Sequence, residues 1–165
     1  MSSLLSKLKK NSKIDQTDVL DKSELFNDKD MIPTDIPMLN VALSGSLDGG
    51  LTSGLTVLAG PSKHFKSSYS LIMASAYLKK YPEAVMLFYD SEFGTPQSYF
   101  DSFGIDAKRV IHTPLTNIEQ LKFDISQRLD VIERGDKVVI FIDSVGNLAS
   151  KKEVEDALDG KSVAD

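Results

Sequence analysis

The sequence contains no cysteine and only two histidines, His64 and His112. The lack of cysteine excludes disulfide bonds, thiol catalysis and cysteine-ligated zinc, and two histidines make a histidine-built metal site a poor candidate. No apolar run approaches the roughly 18 residues that a membrane span needs. The amino terminus, MSSLLSKLKKN, lacks the long apolar core of a signal peptide. These absences predict a cytoplasmic protein.

The length and composition are those of one ordinary globular domain. The chain has 165 residues, of which 41% are hydrophobic and 26% charged, and this is enough to build a real core. The net charge is −5 and the pI is near 5.0. An acidic balance argues mildly against a stand-alone nucleic-acid binder, which usually presents a basic face. An acidic chain can still bind DNA through one local surface.

Residues 1–33 are predicted to form an amino-terminal arm. Within it, residues 2–10 carry Leu4, Leu5 and Leu8 among lysines, which predicts a short basic amphipathic helix. Such a helix is marginal alone and needs a surface to dock on. Two interpretations stay open, a solvated arm and a segment that docks on a neighbouring subunit.

From residue 34 onward, short apolar runs alternate with helical patterns. This order predicts a mainly parallel α/β sheet flanked by helices, with right-handed crossovers. The predicted strands are residues 56–59, 84–89, 110–113 and 137–143.

Four helices are predicted between and before these strands. A short one follows residues 34–40, and residues 67–80 form another, ended by Tyr81 and Pro82. A third has Thr95 as its N-cap and Pro96 as its first residue, and it stops at Gly104. The fourth is opened by a capping box and closed by glycine. The residues that mark its ends are Thr116, Glu119 and Gly135. In the 67–80 helix one face carries Tyr69, Ile72, Met73 and Ala76.

The segment GPSKHFKS connects the first predicted strand to the 67–80 helix. The pattern G-x-x-x-x-G-K-[ST] supplies backbone amides, a lysine and a hydroxyl to a nucleotide's phosphates and Mg²⁺. Phe65 stands where the second glycine belongs. The alternative is a lysine in a polar loop before a helix. The candidate nucleotide-binding residues here are Gly60, Pro61, Ser62, Lys63, His64, Phe65, Lys66, Ser67 and Ser68.

Two carboxylates follow predicted strands. Asp143 ends a run of five apolar residues, at the sheet edge where ligands of open α/β sheets bind, and is the expected Mg²⁺ partner. Glu92 lies two residues beyond Asp90, where a carboxylate can hold and deprotonate water. The alternatives are a cap on the next turn for Asp143 and an ordinary loop position for Glu92.

These motifs resemble the RecA family of recombinases, and more closely the UvsX-type recombinases of tailed phages, from about residue 34 to the end. The resemblance implies a RecA-like P-loop NTPase core with ATP and Mg²⁺ as cofactors. Lys66 would contact the β- and γ-phosphates, Ser67 and Asp143 would ligate Mg²⁺, and Glu92 would be the catalytic base. Tyr99, five residues before the sequence Gly-Ile-Asp, would stack on adenine.

The resemblance also bears on DNA binding and on Phe65. The tract DSVGNLASKKEVE looks like a strand end followed by a first DNA-binding loop, which implies DNA contacts by Lys151 and Lys152. Phage sequences of this type look the same at Phe65, so we expect an altered loop that still binds. Residues 34–165 are expected to form a partial core, incomplete at its carboxyl end. RecA-like cores have a further strand between the strands that here end at Gly60 and Asp143. This chain would lack that strand and leave an open slot in the sheet.

The function implied is an ATP-dependent recombinase that forms helical filaments on single-stranded DNA. It would pair that strand with a homologous duplex in recombination, repair and recombination-dependent replication, in the host cytoplasm if it comes from a phage. Single-strand-binding and mediator proteins are the further partners implied, and no membrane is. Two alternatives stay open: a hexameric helicase motor, and a non-catalytic module that docks on full-length subunits.

Overall fold

The computed structural model describes residues 3–15, 17–22 and 31–160. Single-turn 3₁₀ helices lie at Leu20–Lys22, Ala107–Arg109 and Val145–Asn147. The helices and strands in chain order are α1 (Ser3–Asn11), α2 (Pro37–Ser44), α3 (Lys66–Lys80), β1 (Val85–Asp90), α4 (Gln97–Ser102), β2 (Val110–Pro114), α5 (Ile118–Leu129), β3 (Val138–Asp143) and α6 (Lys151–Leu158).

The three strands form one parallel sheet in the order β2-β1-β3. Strand β1 lies in the centre and is buried along nearly its whole length, as a continuous apolar run in a covered parallel sheet should be. In the register between β1 and β3, Asp90 is paired with Asp143. The carboxyl ends of these two strands therefore lie side by side.

Both faces of the sheet are covered by helices. On one face, Leu71, Ala74 and Leu78 of α3 pack with Phe88 and Phe141 of the strands. On the other, Leu121 of α5 packs with residues of β1 and of the segment after β2. The predicted class, an α/β protein with a parallel sheet flanked by helices, is confirmed. Among the residues that the model describes, no helix is long and apolar enough to cross a membrane.

The predicted strand at residues 56–59 is wrong for this structure. Residues 55–60 have no regular secondary structure, and Leu55 and Val57 are 89% and 72% exposed. A strand is defined by a hydrogen-bonded ladder to a neighbour, and within the described ranges no strand pairs with this segment. A β-branched and apolar composition favours a strand, but composition alone does not supply a partner.

Helix α3 has nearly the predicted bounds, and its buried side overlaps the predicted face only in part. Leu71, Ala74 and Leu78 fill the core and Met73 of the predicted face is buried too, whereas Tyr69 is 41% exposed. Apolar residues occur all around this helix, so periodicity could not decide which side is buried.

The capping box predicted for α5 is wrong. The N-cap is Asn117, whose side chain accepts a hydrogen bond from Gln120 N at 2.9 Å. Thr116 Oγ1 instead donates to Gln120 Oε1, and Glu119 Oε2 accepts from Lys151 N at 3.1 Å. Asparagine is at least as good an N-cap as threonine. Because the helix begins one residue later than predicted, Glu119 is no longer at the third helical position, which a capping box requires. The helix also ends at Leu129, well before Gly135.

Three other expectations can be compared with the structure. Helix α1 confirms the predicted helix in the arm, while Ser2 lies outside the described residues. The N-cap of α4 is Pro96 and not Thr95, a shift of one residue that is usual at helix ends. Helix α6, opened by a Ser150–Glu153 capping box, was not predicted. The division at residue 33 stays a prediction.

Candidate nucleotide and magnesium site

The candidate site lies where the carboxyl ends of β1 and β3 meet the amino end of α3. Parallel pairing brings the two strand ends to one edge of the sheet. Residues 60–65 lead into α3, whose first residue is Lys66. The order loop, helix amino terminus and strand ends is the one that binds phosphate in open α/β folds.

The loop before α3 contains two residues with left-handed backbone conformation, Lys63 at φ 64° and Phe65 at φ 58°. Left-handed residues within a turn point successive backbone N–H groups toward a common concavity, which suits an anion. Phe65 is the N-cap of α3, and its side chain is 71% exposed. Glycine adopts this conformation without a Cβ penalty, which explains why the strict pattern has glycine here.

The side chain of Lys66 folds back over this loop. Its Nζ donates a hydrogen bond to Pro61 O at 2.8 Å, and Nδ1 of His64 lies 2.8 Å from Ser62 O. The ammonium group is thus held at the mouth of the loop, beside the amides that would face a phosphate. This position suits a lysine that neutralises phosphate charge.

Ser67 and Asp143 are in direct contact. Ser67 Oγ donates to Asp143 Oδ2 at 2.6 Å, although the two residues are far apart in sequence. Asp143 is only 8% exposed. Burial raises the pKa of its carboxyl group, and the nearby charges of Glu92 and Asp90 act in the same direction, while the Ser67 hydrogen bond and Lys66 oppose them.

A hydroxyl oxygen beside a carboxylate oxygen is a suitable pair of ligands for Mg²⁺. In nucleotide sites this ion is usually held by one or two protein oxygens together with phosphates and water, and not by an all-protein cage. In the described parts of the chain, no group of three or more histidine, aspartate or glutamate side chains is arranged to hold a metal ion. The donor set of Ser67 and Asp143 therefore fits the expected ion.

Asp90 fixes the turn that carries Glu92. Its Oδ1 accepts hydrogen bonds from Glu92 N at 3.0 Å and Phe93 N at 2.7 Å, and Oδ2 lies 3.1 Å from His112 Nε2. The Asp90 side chain is almost fully buried. Sequence reasoning missed this role, although an aspartate that accepts from the amides two and three residues later is a known turn signal.

The carboxylate of Glu92 is bonded to the segment after β3. Glu92 Oε1 accepts from Ser144 Oγ at 3.0 Å and from Asn147 Nδ2 at 3.2 Å. The backbones beneath are joined as well, because Ser91 N donates to Asp143 O at 2.9 Å. Neither Ser144 nor Asn147 was predicted as a site residue. The turns after β1 and β3 thus form one connected unit around Glu92.

Tyr99 lies next to the first turn of α3. Its hydroxyl is 2.5 Å from Ser68 Oγ, and its ring packs edge-on against Phe103 at 5.1 Å between centroids. The tyrosine is therefore close to the candidate phosphate loop. Its predicted stacking on adenine stays a prediction.

The candidate DNA-binding lysines, Lys151 and Lys152, are exposed in the first turn of α6. The Lys151 amide is bonded to Glu119, which ties the start of α6 to α5. The same helix and its C-cap also carry four acidic side chains, those of Glu153, Glu155, Asp156 and Asp159. Helix α6 therefore has no net positive charge.

The structure thus brings most of the predicted site residues to one place. Ser67 is bonded to Asp143, the charges of Lys66 and Glu92 both act on the Asp143 carboxyl group, and Tyr99 is bonded to Ser68, the next residue of α3. Lys151 and Lys152 lie on a separate element, connected to Glu92 through the segment that follows β3.

Comparison with known proteins supports the resemblance seen in these motifs. No protein-family model matches the chain. The chain is 58% identical, over all 165 residues, to the "Recombination and repair protein" of Enterobacteria phage T4. It spans 42% of the length of that protein. The chain is therefore a partial homologue of a RecA-type protein. More narrowly, it corresponds to part of a UvsX-type phage protein, as the motifs predicted.

Proposed function

We propose that the protein acts in recombination and repair as a RecA-like ATPase that binds DNA. The proposal rests on the 58% identity to the phage T4 recombination and repair protein and on the site at the sheet edge. The observation that carries it is the Ser67–Asp143 hydrogen bond of 2.6 Å. It joins the two side chains that we propose as oxygen ligands of a nucleotide's Mg²⁺, and they lie on the two elements expected to supply such ligands.

In this proposal the chain's own residues position and neutralise the nucleotide. Lys66 and the backbone amides of residues 61–66 bind the phosphates, and Tyr99 stacks on the adenine. Ser67 and Asp143 hold Mg²⁺, which when bound neutralises charge on the phosphates. Glu92 orients the attacking water and accepts its proton at a carboxylate oxygen.

The proposed role of hydrolysis is to reset a helical filament formed on single-stranded DNA. In such a filament Lys151 and Lys152 lie on the element that contacts DNA, and the bound strand is paired with a homologous duplex. The acidic side chains of α6 mean that these two lysines supply little net charge. Tight DNA binding therefore requires further basic groups, from the arm (residues 1–33), from neighbouring subunits or from other parts of the gene product. Single-strand-binding and mediator proteins are the proposed further partners.

The proposal is tested by three substitutions in the full gene product, assayed for ATPase activity with single-stranded DNA. Lys66→Ala should lower turnover at least about 10²-fold and weaken Mg·ATP binding.

Glu92→Gln keeps the shape but removes the base, so ATP should bind normally while hydrolysis falls about 10²-fold or more. Asp143→Asn should raise the Mg²⁺ concentration needed.

Lys79→Ala and Glu83→Gln are the matched controls. Both side chains are exposed, and Lys79 faces Asp35 near the far end of α3, so both variants should keep wild-type turnover. Wild-type turnover in Lys66→Ala would refute the assignment of the phosphate lysine. Equal loss of nucleotide affinity in Glu92→Gln and Asp143→Asn would contradict their separate roles.

A further inference from the structure

The carboxylate of Glu92 is held by two side chains that belong to a different part of the chain. Ser144 Oγ and Asn147 Nδ2 both donate to Glu92 Oε1, at 3.0 and 3.2 Å. Hydrogen bonds to an ionised oxygen are stronger than neutral ones. Two donors that converge on one oxygen restrict the rotation of the carboxylate more than either does alone.

The segment that carries these donors is itself fixed at both ends. At its start, Ser91 Oγ donates to Ser144 O at 2.7 Å and accepts from Ser144 N at 2.9 Å. At its end, Ala149 O accepts from Ile118 N at 3.1 Å. Between them a 3₁₀ turn is closed by Leu148 N donating to Val145 O. Asn147 thus projects from a fixed turn, and a fixed donor can hold its acceptor in one orientation.

We propose that Asn147 is a positioning residue for Glu92, an inference that rests on the proposed ATPase function. Its amide holds Oε1 so that the carboxylate faces the reacting water in one orientation. Misplacing a catalytic group by about 1 Å is enough to lower turnover strongly. Because α6 begins four residues later, at Lys151, the same contact joins the candidate base to the helix that carries the candidate DNA-binding lysines.

The test uses Asn147→Ala and Asn147→Asp in the full gene product, with kcat and KM for ATP measured at saturating single-stranded DNA. We expect kcat to fall about tenfold in Asn147→Ala with KM and nucleotide affinity unchanged, because one hydrogen bond to a charged group is lost. Asn147→Asp keeps the shape but replaces the donor with a negative charge. It should lower kcat at least as much.

Val145→Ala is the matched control, because Val145 lies in the same turn, is 57% exposed and keeps in this variant the carbonyl that accepts from Leu148 N. Its kcat should stay within about twofold of wild type, the scatter expected for an exposed substitution. Unchanged kcat in both Asn147 variants would overturn the inference. So would losses of the same size in Val145→Ala, or a loss of nucleotide affinity that parallels the loss of kcat.

A second measurement does not depend on hydrolysis. In Glu92→Ala, hydrogen exchange of residues 144–149 should become faster, because Ser144 and Asn147 lose their common acceptor. Unchanged exchange would overturn the inference even if the wild-type protein hydrolysed no ATP. Failure of the wild-type protein to hydrolyse ATP would instead contradict the proposed function.

Discussion

Phe65 has a backbone conformation that residues other than glycine rarely adopt. It has φ 58° and ψ 20° at the N-cap of α3, and a left-handed conformation costs an L-residue about 1–2 kcal/mol. Its ring is 71% exposed, so little burial offsets this cost. The structure therefore shows how phenylalanine can stand in the glycine position: its backbone adopts the left-handed conformation and its side chain is exposed to solvent.

Replacing Phe65 tests this account. Phe65→Gly removes the left-handed penalty but adds roughly 0.5–1 kcal/mol of backbone entropy cost, whereas Phe65→Ala keeps the penalty. We expect the glycine variant to be more stable than the alanine variant by about 1 kcal/mol in urea unfolding. Nucleotide binding should be retained in the glycine variant. Equal stabilities of the two variants would contradict the strain at this residue.

The residues of the candidate site were predictable to different degrees. Lys66, Ser67 and Asp143 stood out because each follows a local pattern, a phosphate loop or a strand end. The contacts of Asp90 and Asn147 were missed, since they depend on partners that only the fold brings near. A local pattern gives the type of residue, while tertiary structure decides which neighbours hold it.

At the scale of elements, a partly buried polar contact joins strand β1 to α5. The Tyr89 hydroxyl donates to Asp124 Oδ2 at 2.7 Å, and Arg128 Nε lies 2.6 Å from the same oxygen. Arg128 also lies over the Tyr89 ring and donates to Thr113 Oγ1 of β2. Burial, together with the hydrogen bond to Asp124, raises the pKa of Tyr89 to about 12.

Tyr89→Phe should lower the free energy of unfolding by about 1–2 kcal/mol at pH 8, because it removes a hydrogen bond to a charged group. The unfolded tyrosine ionises near pH 10 and the folded one near 12. Its contribution is therefore complete below about pH 10 and is lost as the pH rises toward 12. Urea unfolding between pH 8 and 11 should show the difference between the two proteins narrowing above pH 10. Tyr69→Phe, at an exposed position, is the control, and a pH-independent difference would contradict the prediction.

Helices and strands could be predicted wherever the pattern of apolar residues was compatible with only one type of element. Strands β1, β2 and β3 and helix α3 were found from apolar runs and helical spacing. The predicted strand at 56–59 was wrong because pairing with a neighbour is not encoded in the segment itself. The cap of α5 was wrong because two adjacent residues, Thr116 and Asn117, are both good N-caps.

At the scale of the whole molecule, the sheet has an apolar edge. Strand β3 pairs with β1 on one side, and within the described residues no strand lies on its other side. A second apolar surface lies at residues 55–60, where Leu55 and Val57 are exposed. An edge that presents unpaired backbone groups and apolar side chains favours pairing with another chain. The slot that the family resemblance predicted stays a prediction, because residues 56–59, which were to form one of its two sides, are not a strand here.

The 165-residue chain expressed alone should therefore self-associate as its concentration rises. Val57→Lys places a charge on the exposed apolar segment and should shift the equilibrium toward monomer in sedimentation velocity experiments, because a charge there opposes burial of the segment against another chain. Val131→Lys is a closely matched control, since Val131 is 75% exposed against 72% for Val57 and follows α5 instead of preceding the phosphate loop. It should leave association unchanged. A monomer at all concentrations, or equal effects of the two substitutions, would contradict association through the exposed segment at residues 55–60.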